Sequence, residues 1–445
     1  MPLPSMLVKK TVKSVAAGYN LRFQQRPASS SVNRDQILQE ADRCVKCGIC
    51  LPHCPTYNMT RDEGDSPRGR IALIQALVAG KVTSQRLHDH LDRCLTCVAC
   101  EPACPSGVKY GKLIDATRAL THKHPGFFEK LQRSLITQQT YKGWSRPLLR
   151  IYQSSGARRI IRTVGSKKIR RLDALLPEIE ESTPWNYPAT DIHNTPQRRI
   201  ALFTGCIARI TEHSAIGAAI RVMRRLKIEV IIPSNQGCCG AMHAHTGAPA
   251  TADTLAEVNV AAFNALDVDA TLYLASGCGA QLASYGDDGH NLTAPVMEVS
   301  QYILNLPEFD SLLLRPLAKR VALHTPCSLK NVLKGEEAPT LLLRRIPGLV
   351  LVPLPDSGCC GAAGSYLLDQ PEMSDRLRDI TLNQLIETKP DILATSNTGC
   401  ALHLDSGIRQ AHLPIEVVHP IQLIERQSRD DGIQETSDQT GEQSC

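Results

Sequence analysis

No apolar run in this 445-residue chain approaches bilayer-spanning length; the longest is about ten residues around Ile71–Gly80. The pattern of charge, apolar core and small-residue cleavage site that marks a signal peptide is also missing, so export is not expected. Neither a G-x-G-x-x-G fingerprint nor a P-loop occurs, which removes the usual sites for FAD, NAD and ATP. Hydride chemistry needs a cofactor such as flavin. The chain is therefore not expected to oxidise an alcohol alone. Acidic residues are absent from two stretches: residues 1–34 hold six Lys/Arg, and residues 130–172 hold twelve. Against a net charge of +6, those cations leave the remaining chain net acidic.

Cysteine is what the chain has in excess, with 17. In a small secreted protein that number reads as a disulfide framework. Here the chain is long enough for two or three domains and its cysteines are tightly grouped. Metal or cluster ligation in a reducing compartment is the expectation. Sixteen cysteines fall into four groups of four, and only Cys445 stands apart.

The first two groups are CVKCGICLPHCP, with Cys44, Cys47, Cys50 and Cys54, and CLTCVACEPACP, with Cys94, Cys97, Cys100 and Cys104. Each reads C-x2-C-x2-C-x3-C-P, the bacterial ferredoxin run, in which three thiolates wrap one [4Fe–4S] cluster and the fourth crosses to its neighbour. Cys44, Cys47, Cys50 and Cys104 are thus expected to hold one cluster, and Cys54, Cys94, Cys97 and Cys100 the other. Structural zinc also takes four soft ligands, but rarely in this spacing.

The other two groups form a repeat. Cys206 follows RRIALFTG, Cys238 and Cys239 stand in IIPSNQGCCGAM, and Cys278 ends ATLYLASGC. Cys327 follows KRVALHTP, Cys359 and Cys360 stand in LVPLPDSGCCGAAG, and Cys400 ends DILATSNTGC. The separations are 32, 1 and 39 residues in the first copy and 32, 1 and 40 in the second. Short apolar runs ending at a Gly/Pro-Cys step, each followed by helix-compatible sequence, predict strand, turn and helix. Such α/β units gather ligands at the carboxyl ends of their strands.

The two ferredoxin runs followed by a duplicated Cys…CCG…Cys pattern resemble the iron–sulfur subunits of glycolate oxidase (glycolate dehydrogenase). The agreeing words are CPTY, DSPRGRI, HLDRCLTCVACEPACPSGVKY, LASGCGA and GCCGAAGSYLL, and the resemblance covers about residues 37–423. It implies an α+β chain, with a mostly helical ferredoxin-type double-cluster domain followed by a tandem repeat of α/β CCG domains like those of heterodisulfide reductase. The divisions expected are a basic arm (1–36), the double-cluster domain (37–120), a basic helical linker (121–198), CCG domains (199–310 and 311–425) and a disordered tail (426–445).

The resemblance also implies two [4Fe–4S] clusters and one further iron–sulfur centre in each CCG domain. FAD is expected on a partner glycolate oxidase subunit, not on this chain, and a membrane quinone is the expected acceptor. The implied place is the cytoplasm, peripheral to the inner membrane, with no role for nucleic acid. Heterodisulfide reductase closes its repeat with C-x-x-C, whereas CGAQ and CALH here offer one cysteine each. Cubane, zinc and redox-dithiol occupants of the CCG sites therefore stay open. So do a D-lactate or glycerol-3-phosphate dehydrogenase role and a thiol–disulfide enzyme. The basic stretch 130–172, with Tyr141, Trp144 and Tyr152, suits an anionic membrane or an acidic partner. His243, His245, His324 and His403 stand near the cysteines; each is a candidate ligand or hydrogen-bond donor, and a surface position is the simplest reading.

Overall fold

The computed structural model describes residues 33–121, 145–179, 185, 198–355 and 358–428. Residues 1–32 of the basic arm, the first part of the basic stretch with Tyr141 and Trp144, most of the polar tail and Cys445 lie outside the described residues.

Residues 33–121 build helices and no strand among the described residues. Helix Arg34–Asp42 is capped by Asn33, helix Pro67–Val78 by Ser66 with proline at its start, and helix Gln85–Asp92 by Ser84. Each capping side chain accepts an N–H that the first turn leaves without a partner. Ile37, Ile74, Leu87, Leu91 and, from helix Tyr110–Thr121, Ile114 meet in one core. That core holds the two cysteine-bearing loops.

The repeat becomes two parallel four-stranded sheets. The first has the order β2-β1-β3-β4, with β1 Arg198–Phe203, β2 Ile228–Ile231, β3 Ala270–Tyr273 and β4 Val296–Glu298. The second repeats it as β6-β5-β7-β8, with β5 Arg320–His324, β6 Val350–Val352, β7 Ile392–Thr395 and β8 Glu416–Val418. The central strands β3 and β7 are buried at every position, as apolar runs flanked by crossover helices require. The α+β organisation expected from the sequence is the one observed.

The two sheets do not stand apart. Ile200, Leu202 and Leu272 of the first share one apolar cluster with Val321, Ile392 and Val418 of the second. Helix His213–Arg225 lies against helix Pro420–Gln427, and Arg221 meets Glu425 at 2.8 Å. At the ligand edge, Ser276 N–H donates to Ser396 O at 2.9 Å, and Gly277 N–H to Asn397 Oδ1 at 3.0 Å. The loops carrying the two cysteine sets therefore touch across the repeat.

Three helices, Ser145–Ser154, Ala157–Val164 and Lys167–Leu175, form the linker. Buried Asp173 holds Arg158 at 3.1 Å and Arg162 at 2.6 Å, and also accepts from Tyr152 Oη at 3.0 Å. Arg171 reaches Asp375 through two bonds of 2.8 Å. Part of the basic stretch is thus structural, because it is neutralised by one acid just past its end, Asp173, and by one in the second repeat, Asp375.

Candidate metal centres

The ferredoxin-type loops turn through left-handed backbone at matched places: Lys46 (φ 57°) and Gly48 (φ 86°) in one, Thr96 (φ 52°) and Val98 (φ 46°) in the other. A β-branched residue rarely adopts that conformation. Val98 is strained backbone of the kind that persists where surroundings over-determine it. These turns let two-residue spacers aim three thiols at one point. Cys50 lies in electrostatic range of Cys44 and Cys47. Cys54 does not join them: its thiol acts on Cys97 and Cys100 together with that of Cys94. The fourth cysteine of the first run thus lies with the first three of the second. Cys44, Cys50 and Cys104 all pack against the same apolar core.

The second set is enclosed. Cys54 Sγ lies 3.3 Å from Thr56 Oγ1 and 3.5 Å from Asp65 O, with the guanidinium of buried Arg70 at 3.9 Å. Tyr110 Oη donates to Cys94 Sγ at 3.7 Å. Asp65 holds Arg70 and also meets His90 Nδ1 at 2.9 Å. Burial pushes the Cys97 thiol well up, and the charge of Cys327 adds to it. Four thiolates packed here repel one another, and a cationic metal centre is what offsets that repulsion. The donor set fits such a group. The first set lies nearer solvent, with Cys47 exposed between exposed Val45 and Ile49.

In the repeat, all eight cysteines lie beyond the carboxyl ends of strands. Cys206 follows β1, Cys238 and Cys239 follow β2, and Cys278 lies in the first turn of the helix after β3. Cys327, Cys359, Cys360 and Cys400 stand likewise beyond β5, β6 and β7. None is in a disulfide. Neighbouring side chains on an extended segment point apart, and each member of a doublet reaches a different partner. Cys238 meets Cys206 at 3.5 Å, while Cys239 hydrogen-bonds Cys278. Cys359 meets Cys327 at 3.9 Å, while Cys360 meets Cys400 at 3.0 Å. Adjacency thus links the thiols into a run of four in each copy, Cys206, Cys238, Cys239 and Cys278 in the first and Cys327, Cys359, Cys360 and Cys400 in the second.

Several residues outside the motifs hold these turns. Asn259, wholly buried, donates to Cys238 O at 2.9 Å, and Tyr285 Oη donates to Cys239 O at 2.8 Å. In the second copy Ser374 Oγ donates to Gly361 O at 3.0 Å and meets His403 Nε2 at 2.9 Å. A lone asparagine in the apolar AEVNVAAF was the one available sign in the sequence.

The surface reading of the histidines fails for three of the four, since His243, His324 and His403 are 6 %, 5 % and 0 % exposed. His403 is held by Ser374, and burial lowers its pKa to about 4. His245 pairs with Asp115 at 2.9 Å and ties the first repeat to the N-terminal unit. The N-terminal unit meets the second repeat differently. Leu95, Cys97, Cys327, Cys359, Tyr366 and Leu377 form one apolar patch, Asn331 Nδ2 donates to Cys97 O at 2.9 Å, and Tyr366 Oη donates to Arg93 O at 3.1 Å.

Residues 40–108 match the 4Fe-4S dicluster domain family, and residues 200–283 and 321–405 match the cysteine-rich domain family. With the geometry above, this defines an iron–sulfur protein of one dicluster domain and two cysteine-rich domains. The chain is 33% identical over 426 residues to the glycolate oxidase iron-sulfur subunit of Escherichia coli (strain K12), covering 91% of this chain and 98% of that one. It is 32% identical over 410 residues to a probable glycolate oxidase iron-sulfur subunit of Bacillus subtilis (strain 168), covering 86% and 92%. Lactate utilization protein A of Geobacillus thermodenitrificans (strain NG80-2) is 27% identical over 237 residues, 51% of this chain and 98% of that one. The chain belongs to the glycolate oxidase iron–sulfur subunit family.

Proposed function

We propose that this chain is the electron-transfer subunit of a glycolate oxidase complex. Glycolate is oxidised to glyoxylate on a partner subunit carrying FAD, and electrons pass singly through this chain toward a membrane quinone. Cys44, Cys47, Cys50 and Cys104 hold one [4Fe–4S] cluster, and Cys54, Cys94, Cys97 and Cys100 a second. Cys206, Cys238, Cys239 and Cys278 hold a further iron–sulfur centre, as do Cys327, Cys359, Cys360 and Cys400. The observation that carries the relay is the buried patch in which Cys97 lies beside Cys327 and Cys359. Electrons leaving the second dicluster set have the second cysteine-rich unit as neighbour, and the exposed Cys47 end is the place for exchange with a partner.

Membrane association rests on the linker. No helix among the described residues is long and apolar enough to cross a membrane. The linker helices instead expose Leu148, Ile151, Ile160, Val164 and Ile169, interleaved with exposed Arg159, Lys167, Lys168 and Arg170. Apolar side chains among cations suit the interface of an anionic bilayer.

The test is to co-express the chain with its flavoprotein partners and follow reduction of a soluble quinone analogue by glycolate, D-lactate and glycerol 3-phosphate. Glycolate should be the best donor; no glycolate activity in a complex active on D-lactate overturns the substrate, an outcome the lactate-utilisation relative makes worth measuring. Iron and acid-labile sulfide should each approach about sixteen per chain, whereas about eight means that only the dicluster domain is filled.

A further inference from the structure

The two cysteine-rich units differ at one register position. The last paired residues of the central strands are Phe203 and Tyr273 in the first sheet, and His324 and Thr395 in the second. In both copies these residues stand three positions before the first cysteine and five before the last. Two rings in one copy are thus replaced by a polar pair in the other, with His324 Nδ1 3.0 Å from Thr395 Oγ1.

Packing alone does not call for that exchange, because the aromatic pair fills the same place in the first sheet. A buried imidazole costs desolvation that a phenyl ring does not. Its location supplies the reason: a His324 ring nitrogen, Cys360 Sγ and Cys400 Sγ all lie within 4.8 Å of one another, and all three residues are buried. Among the described residues the first unit contains no such trio. Its own histidine, His243, stands on helix Ala241–His245 near Cys238, where the second copy has Gly364.

We propose that His324 is a ligand of the metal centre in the second cysteine-rich unit, through Nε2, and that Thr395 orients the ring by accepting from Nδ1–H. A ligating histidine characteristically gives its other nitrogen to such a partner. This assignment rests on the reading of the cysteine-rich sites as iron–sulfur centres. The second unit then offers five donors, Cys327, Cys359, Cys360, Cys400 and His324, which makes up for the cysteine missing from its closing motif. The first unit keeps four thiolates. A neutral imidazole at that fifth position holds an iron–sulfur potential above the one a fifth thiolate would set, so the two centres differ in their donors.

The test uses the full chain, prepared anaerobically, reduced, and examined by pulsed EPR with and without 15N-histidine. Wild type should show a nitrogen coupling that changes with the label. His324→Cys should retain iron, lose that coupling and shift the centre to lower potential, while His243→Asn should keep the coupling. About sixteen irons with no histidine coupling in wild type overturns the assignment. So does a coupling that survives His324→Cys and vanishes in His243→Asn. About eight irons in wild type overturns the cluster reading itself and this assignment with it.

Discussion

Gly361, the glycine after the second doublet, has φ +86°, and a Cβ placed there lies 2.5 Å from Ser374 O and 3.0 Å from Ser374 Cα. Its counterpart Gly240 has φ +88°, but a Cβ there meets Ala252 O at 3.2 Å. The left-handed backbone costs alanine roughly 1–2 kcal/mol at either position, so conformation does not separate the two. Contact does. Ordinary contact begins at 3.4 Å, so alanine at 361 must retreat by about 0.9 Å and at 240 by about 0.2 Å, against a ligand-distance tolerance of about 0.2 Å.

Ser374 is poorly placed to yield, since its hydroxyl is bonded to Gly361 O and His403. The shift therefore falls on Cys360. Gly361→Ala should lose one centre, about four of about sixteen irons, and melt at lower temperature. Gly240→Ala should keep its iron and lose only roughly 1–2 kcal/mol of stability. The assay is iron and acid-labile sulfide per chain on anaerobically purified variants, with thermal melts followed by circular dichroism. Wild-type iron and an unchanged melt in Gly361→Ala would refute the reasoning, as would iron loss confined to Gly240→Ala.

Removing the carboxylate of Asp65, 0 % exposed, leaves Arg70, 1 % exposed, as a buried charge beside Cys54. Asp65→Ala should cost about 3–5 kcal/mol by denaturant titration, and a loss below about 1 kcal/mol contradicts the account. His419 accepts from Ile421 N–H through Nδ1 at 3.2 Å, and its Nε2 contacts Leu274 O at 3.2 Å. Burial lowers its pKa from 6.5 to about 4, so the unfolded chain binds the proton more readily. Its stabilisation is complete above pH 6.5 and is lost as the pH falls toward about 4, by roughly 3 kcal/mol. Melting temperature should therefore drop less steeply with acid in His419→Asn than in wild type; parallel profiles would show that His419 does not titrate this way.

Much of the architecture is legible in local pattern. C-x2-C-x2-C-x3-C-P works because a loop of that length can wrap one centre, so spacing carries the geometry. The strands before Cys206, Cys278, Cys327 and Cys400 announce themselves as apolar runs stopped by a turn. Other features were not legible because they depend on how helices pack on one another, which local pattern does not record. Arg158 and Arg162 read as free surface charge until Asp173 is found between them, and His403 reads as exposed until helix Pro371–Thr388 covers it.

The sequence by itself determined the four ligand groups, the duplication and the parallel α/β units, because each follows from spacings within tens of residues. Only the tertiary structure decided which groups are neighbours. Cys97 and Cys327 stand 230 positions apart, and packing around Tyr366 and Leu95 brings them into one patch. The same holds for His324: its place three residues before a cysteine is visible in the chain, but its approach to Cys360 and Cys400 depends on strand register. Register is set by how the whole sheet buries its faces, which no short motif records.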